Sequence, residues 1–238
     1  MEAEKALYLM PVSISEAPIN CVLPSANIEL LKQMRYFIVE NVRTARRFIK
    51  QCWKEAPIGE MTFYELNRHT AEEEISSFLN PLREGNPMAL MSEAGCPGVA
   101  DPGAKAVEIA WKDKLRVIPL VGPSSILLSL MASGFNGQSF AFHGYLPIDP
   151  KERERKLREL EESSRKNDTT QIFIETPYRN NKILESMMKV LKPSTRLCVA
   201  ADITDPEKEL IRVASIAEWK KIKIEIDKRP TIFLIYGR

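Results

Sequence analysis

Residues whose types and spacing can carry chemistry gather in a few short stretches of this 238-residue chain. The densest is Ser92-Glu93-Ala94-Gly95-Cys96-Pro97-Gly98-Val99-Ala100-Asp101-Pro102-Gly103, which combines three glycines, two prolines and two carboxylates. It follows an apolar run, Met88 to Met91, and precedes a helical pattern in which Asp101 suits an N-cap and Pro102 a first helical residue. In an open α/β sheet, ligands sit beyond the carboxyl ends of strands in loops of this kind. The competing reading is a tight turn between two buried elements. Gly122-Pro123-Ser124-Ser125 ends another apolar run, where the hydroxyls either meet a ligand or cap the next helix. Glu175 stands at a strand end before Thr176-Pro177, and Glu40 and Arg43 flank a helix start. Glu175 either meets a ligand or caps the helix that Pro177 opens, whereas Glu40 and Arg43 are acceptor-side or catalytic candidates or an ordinary structural pair.

Several chemistries are excluded by what is missing. There is no GxSxG elbow and no GxxxxGK[ST] phosphate loop. The four cysteines are scattered without a CxxC pair, and with only two histidines, His69 and His143, they make no zinc pattern. No metal is expected. A dinucleotide fold needs glycines directly after its first strand, yet the first glycine here is Gly59. The N-terminus lacks the basic region and apolar core of a signal peptide, and no apolar run approaches the roughly 20 residues of a membrane span. A reduced, cytoplasmic setting is expected, with no membrane partner. The net charge of +2 gives no global field, but residues 32 to 54 hold seven Lys or Arg against one Glu. Arg43, Arg46, Arg47 and Lys50 share a helical face there, which is either solvated or a patch for RNA phosphates.

The elements that position these groups alternate. Strands are expected at Ala6–Val12, Tyr36–Glu40, Thr62–Leu66, around Met88, and at Arg116–Val121. Helices are expected at Ser25–Met34, Val42–Lys54, His69–Arg83 and Pro102–Lys112, with residues 13–24 as loop. Five strands alternating with helices imply a parallel sheet covered on both faces. After a helix at Ser124–Ser133 the pattern is more mixed. Strands at Ser139–Tyr145, Gln171–Glu175, Arg196–Ala201, Glu209–Val213 and Thr231–Tyr236 flank a charged helix at Lys151–Lys166 and a helix capped by Thr176 running to Leu191. A short helix at Ile216–Ile222 completes the list. The expected organisation is an α/β chain of two domains, 1–122 with a parallel sheet and 123–238 with a mixed sheet.

The Ser92–Gly103 stretch resembles the S-D-A-G-T-P-x-x-x-D-P-G motif of the tetrapyrrole methylase superfamily, most closely the branch of 16S ribosomal RNA (cytidine-2′-O)-methyltransferases. Val117-Ile118-Pro119-Leu120-Val121-Gly122-Pro123-Ser124-Ser125 is similar to its V-x-P-x-P-G-P-S-A segment, and His143-Gly144-Tyr145-Leu146-Pro147 to its x-G-F-L-P. Phe173-Ile174-Glu175-Thr176-Pro177-Tyr178-Arg179 is similar to F-Y-E-x-P-H-R, and Pro230 to Gly237 to the terminal strand. The resemblance implies a two-domain, homodimeric enzyme that binds S-adenosylmethionine (SAM) in the cleft between its domains. Carried over, cofactor contacts fall on Glu93, Ala94, Gly95, Pro97, Val99, Ser124, Ser125, Glu175, Thr176, Pro230 and Thr231. It also implies an RNA partner, ribosomal RNA or the small ribosomal subunit, through the basic helix.

The acceptor side departs from that pattern. P-x-G-N-L-x-D is Pro11-Val12-Ser13-Ile14-Ser15-Glu16 here, E-D-T-R is Glu40-Asn41-Val42-Arg43, and A-R-E-L-T is Ala200-Ala201-Asp202-Ile203-Thr204. Two alternatives follow: a methyltransferase acting on a tetrapyrrole or corrinoid, and a homologue that binds SAM or RNA without catalysis.

Overall fold

The computed structural model describes residues 2–237. By its internal contacts the chain divides after Ser124 into two compact units.

In the first unit, β1 (Leu7–Leu9) leads through α1 (Ile19–Val22) and α2 (Ser25–Leu31) to β2 (Tyr36–Val39). Then come α3 (Val42–Cys52), a 3₁₀ turn at Ile58–Glu60, β3 (Thr62–Glu65), α4 (Glu72–Phe78), α5 (Asn80–Arg83) and β4 (Met88–Met91). The unit ends with α6 (Gly103–Lys112) and β5 (Val117–Pro119). The five strands form one parallel sheet in the order β3-β2-β4-β1-β5. Successive residues of β4 point to opposite faces, and both faces are buried. Ala89 and Met91 join Tyr8, Phe37 and Val39 beneath Leu30, Leu31, Phe48 and Ile49. Met88 and Leu90 join Leu7 and Ile38 against Ile75, Phe78, Leu82, Ala106 and Ile109. That double burial is why β4 reads as a continuous apolar run. Because all five strands are parallel, every C-terminal end opens on the same edge.

The second unit holds α7 (Ser125–Ser133), β6 (Phe140–Tyr145), α8 (Pro150–Asn167), β7 (Thr170–Ile174), a 3₁₀ turn at Pro177–Arg179, α9 (Asn180–Val190), β8 (Arg196–Ala201), β9 (Leu210–Ser215), α10 (Ile216–Trp219) and β10 (Thr231–Tyr236). Its sheet runs β6-β7-β10-β8-β9 and is mixed: β6 is parallel to β7, while β10 is antiparallel to both β7 and β8. The C-terminal ends of β7 and β8 therefore lie at the same edge as the start of β10. Phe173, Val199 and Phe233 carry the core against Leu157 and Leu160 of α8 and Ile183 and Met187 of α9. Among the described residues no helix is long and apolar enough to cross a membrane.

Four local expectations are corrected. Residues 13–24 contain the short α1. The single helix expected at His69–Arg83 is two. Pro81 has no backbone N–H and fits only an opening turn, so the chain restarts as α5 after Leu79. Residues 67–70 form an Asx turn instead, with Asn67 Oδ1 accepting from His69 N at 2.9 Å. Thr176 makes no side-chain capping bond, and Pro177 opens a 3₁₀ turn before α9.

Candidate functional site

The Ser92–Gly103 loop leaves the C-terminal end of β4 and is fixed at three points. The first is the chain after β1: Val12 and Gly95 exchange both backbone hydrogen bonds, at 3.0 and 3.2 Å. Gly95 takes φ +75° there, with Ile14 and the Pro123 carbonyl crowding the place of a Cβ. The second is Asp101. One oxygen accepts from Gly98 N at 2.8 Å and the other from Gly103 N at 2.7 Å, so the carboxylate closes the loop and opens α6 together. Burial raises its pKa against the lowering effect of the backbone bonds from Gly103, Gly98 and Val99. The third is Glu40, at the end of β2, whose carboxylate accepts from Glu93 N at 3.0 Å.

The loop separates two cavities. On one side Pro97, Gly98 and Val99, with Leu9, Val107, Pro119 and Leu120, line an apolar cavity of about 400 Å³. On the other, Glu93 and Asp101 join Glu40, Asn41, Arg68 and Lys105 around a polar cavity of about 670 Å³ floored by Leu66 and Ile75. Glu40 is half-buried. Its pKa is raised by that burial first, lowered by the Glu93 N–H, and raised again by the Asp101 and Glu93 carboxylates. Beyond β5, Gly122 packs so closely on Pro11 that a Cβ would fall 2.2 Å from a ring carbon.

The predicted site residues of this unit thus divide. Pro97 and Val99 meet in the apolar cavity, and Glu93 and Glu40 meet in the polar one. Ala94 is exposed, its carbonyl accepting from Ser92 Oγ at 3.2 Å, and Gly95 is buried. Ser124 ends the unit half-buried. On α3, capped by Asn41 accepting from Arg43 N and Thr44 N, Arg43, Arg46, Arg47 and Lys50 are all exposed. Arg46 lies over the Phe63 ring at 5.0 Å, and Lys50 donates to the Lys54 carbonyl at 2.9 Å.

In the second unit Ser125 opens α7, and the remaining predicted residues stand along one sheet edge. Glu175 is fully buried. One oxygen accepts from Thr176 N at 2.7 Å and the other pairs with Arg179 at 2.8 Å. Pro230 is exposed and its carbonyl accepts from Asp202 N at 2.9 Å. Thr231 is buried and its hydroxyl donates to the Arg229 carbonyl at 2.9 Å, so this side chain serves its own loop.

Asn180 and the anchoring role of Asp202, named above only as a departure from the family motif, escape the sequence reading. Asn180, wholly buried, donates to the carbonyls of Ile226 at 2.9 Å and Arg229 at 2.7 Å and to Thr231 Oγ1 at 3.1 Å. Asp202 accepts from Arg229 Nε at 2.5 Å. Both hold the 226–231 loop through partners far away in sequence, so no local spacing signals them. Among the described residues no group of His, Cys, Asp and Glu is placed to hold a metal ion.

No family model matches the chain. It is 28% identical over 233 residues to ribosomal RNA small subunit methyltransferase I of Vibrio cholerae, covering 97% of this chain and 77% of the relative. It is 29% identical over 215 residues to the Bacillus subtilis protein of the same name, covering 90% and 69%. Among solved structures, uroporphyrin-III C-methyltransferase of Thermus thermophilus, complexed with S-adenosylhomocysteine (SAH), superposes with a TM-score of 0.60 at 16% identity, covering 97% of each chain. That likeness speaks for the fold. The sequence similarity and the loop after β4 make the chain similar to the small-subunit ribosomal RNA methyltransferases, on a fold shared with the solved methyltransferase.

Proposed function

We propose that this protein is a SAM-dependent methyltransferase whose acceptor is a ribose 2′-oxygen of small-subunit ribosomal RNA. The observation that carries the reading is similarity over 97% of the chain to a ribosomal RNA small subunit methyltransferase. The cofactor contacts are Glu93, Ala94, Gly95, Pro97, Val99 and Ser124 of the first unit and Ser125, Glu175, Thr176, Pro230 and Thr231 of the second. The residues fit the group. An apolar cavity with a few placed polar atoms is what a nucleoside and a thioether chain need. When bound, SAM supplies a methyl group on a cationic sulfur.

The chain's own part is alignment. The Asp101 clamp and the Val12–Gly95 bridge hold the loop rigid, so positioning supplies much of the rate. Glu40 and Arg43 are the acceptor-side and catalytic candidates. Glu40 lines the polar cavity, where an ionised carboxylate can accept a proton or a hydrogen bond. Arg43, Arg46, Arg47 and Lys50 form the RNA-facing patch, the enzyme is a homodimer, and it works in the cytoplasm with its substrate. Incubating the protein with labelled SAM and under-methylated small ribosomal subunits labels the RNA; absence of label with competent subunits overturns the reading. The fold of the solved neighbours favours a second reading, a tetrapyrrole acceptor, which a pigment-binding titration tests. SAH binding without turnover on either acceptor would mark a non-catalytic homologue.

A further inference from the structure

The polar cavity has two chemically different sides. On the β4 side stand the carboxylates of Glu93 and, from the end of β2, Glu40. Glu93 is exposed, while Glu40 spends one oxygen on Glu93 N and keeps the other. Asp101 has both oxygens on backbone N–H groups. On the β3 side stands the turn at residues 67–70, fixed by three hydrogen bonds. Asn67 Oδ1 accepts from His69 N at 2.9 Å, Thr70 Oγ1 from Asn67 N at 3.0 Å, and the Asn67 carbonyl from Thr70 N at 3.1 Å. These bonds use acceptor atoms of the side chains and leave the Asn67 amide N–H groups and the Thr70 hydroxyl proton as donors beside Arg68. Arg68 is exposed, and its guanidinium has no hydrogen bond or ion pair with any described residue. The other cation at the lining, Lys105, is held by Glu72 at 3.1 Å and Glu108 at 3.0 Å.

In the sheet order β3-β2-β4, two strand spacings, about 10 Å, separate these sides. An occupant that meets both carries an anion at one end and hydroxyl donors at the other. We propose that Arg68 takes the RNA phosphate next to the reacting ribose and so sets the direction in which the strand crosses the cavity. The proposal rests on the methyltransferase reading above and adds a positioning residue to it. A phosphate on the β4 side would meet the charges of Glu40, Glu93 and Asp101. Only one direction therefore sets the phosphate against a cation and the ribose hydroxyls against carboxylates. A guanidinium suits the task, because its fork gives phosphate oxygens two parallel N–H bonds. The backbone of the turn is fixed before the ligand arrives, so binding has only the Arg68 side chain left to order there. Phosphate contacts position a strand without reading its bases, so this contact is indifferent to sequence.

The test titrates the full chain, with SAH present, into fluorescent nine-nucleotide oligo(C), oligo(A) and oligo(U) over a range of salt. In R68Q the slope of log affinity against log salt is expected to flatten by about 0.7, the value for one phosphate of a single strand, and affinity at about 0.1 M salt to fall about fivefold. The loss is equal for the three oligomers, and R68K, which keeps the charge without the fork, restores the slope. With labelled SAM and under-methylated small subunits, R68Q lowers kcat/KM for the subunit by the same factor and leaves the KM for SAM unchanged. No RNA binding by wild type, an unchanged slope in R68Q, or a loss confined to one oligomer overturns the assignment. SAH affinity that falls together with RNA affinity in R68Q also overturns it and makes Arg68 a support of the fold. Wild type separates the two levels. Methylation by wild type with an unchanged slope in R68Q sinks the Arg68 assignment alone. RNA binding without SAH binding or methylation sinks the methyltransferase reading, and with it the place of Arg68 beside a reacting ribose.

Discussion

The two candidate ligand-side segments are held by opposite means. The first unit's loop is tied down mostly through its own backbone atoms: Asp101 accepts from N–H groups two and three residues along the chain, Val12 meets Gly95 main chain to main chain, and Glu40 accepts from Glu93 N. Its side chains are left to face the cavities. The second unit's 226–231 loop is tied down by buried side chains from elsewhere: Asn180 spans 46 to 51 residues, and Arg229 reaches back 27 to Asp202. Here the polar side chains are used up in holding the loop. In the first unit, then, a substitution can disturb a ligand while leaving the fold intact. In the second, fold and ligand are bound together.

The largest expected effect tests the second half of that statement. Arg179→Ala leaves the Glu175 carboxylate, which has no exposed side-chain surface, without its cation. The expected cost is about 3 kcal/mol, as for other broken buried pairs. Denaturant titration measures it, and a Glu175→Gln/Arg179→Met double variant should recover most of the loss. Asn180→Ala comes next. It strips the Ile226 and Arg229 carbonyls of their donor, at about 2 kcal/mol. If the loop presents Pro230 and Thr231 to the cofactor, SAH affinity drops together with stability, about tenfold in the SAM KM, with kcat largely kept. A drop in stability with unchanged KM would break the coupling and make Asn180 purely structural.

Why one half was easier to read than the other follows from the same contrast. The parallel sheet, its five strands and the loop after β4 are written in contiguous residues: an apolar run, then glycines and prolines at close spacing. The missing glycines after β1 also have a structural counterpart, since Pro11 and Val12 pack on Gly122 and Gly95 where a ligand-binding turn would otherwise be. The restart at α5 was legible in principle from Pro81, but an amphipathic pattern running through it masked the break. Asn180, Asp202 and Arg229 were not legible. An asparagine opening a helix and an aspartate after a strand are commonplace locally, and only the fold brings their partners within 3 Å. Likewise Thr231 matches the resemblance by position while its hydroxyl is turned to its own loop.

The first half of the comparison is tested by smaller effects. Asp101→Ala frees Gly98 N and Gly103 N and removes the start of α6, for about 1 kcal/mol, the usual worth of a cap. SAH affinity should fall more than this stability loss suggests, because the loop loses its shape; Asp101→Asn should retain part of both. On the basic face, Arg47→Ala changes neither stability nor SAH binding. It lowers the slope of log affinity for small-subunit RNA against log salt by about one phosphate contact. An unchanged slope would return that face to solvent.

The smallest effect is also the sharpest, because its sign is fixed. Burial raises the pKa of Glu40 in the folded protein above that of the unfolded chain. Between the ordinary glutamate value and the raised one, the native state binds the proton more readily than the unfolded state does. Stability therefore falls as pH rises through the folded pKa, and the half-buried ionised carboxylate is a liability at neutral pH. Glu40→Gln removes the titration while keeping the acceptor for Glu93 N. The variant should be the more stable protein at pH 7, with its advantage shrinking toward zero as pH drops below the ordinary glutamate range near 4.3. Melting curves of both proteins across that window measure the crossing. A wild type more stable than Glu40→Gln at neutral pH would show that the carboxylate holds the fold. The observed sign of a retained liability would instead place Glu40 with the loop it supports, where stability yields to a ligand.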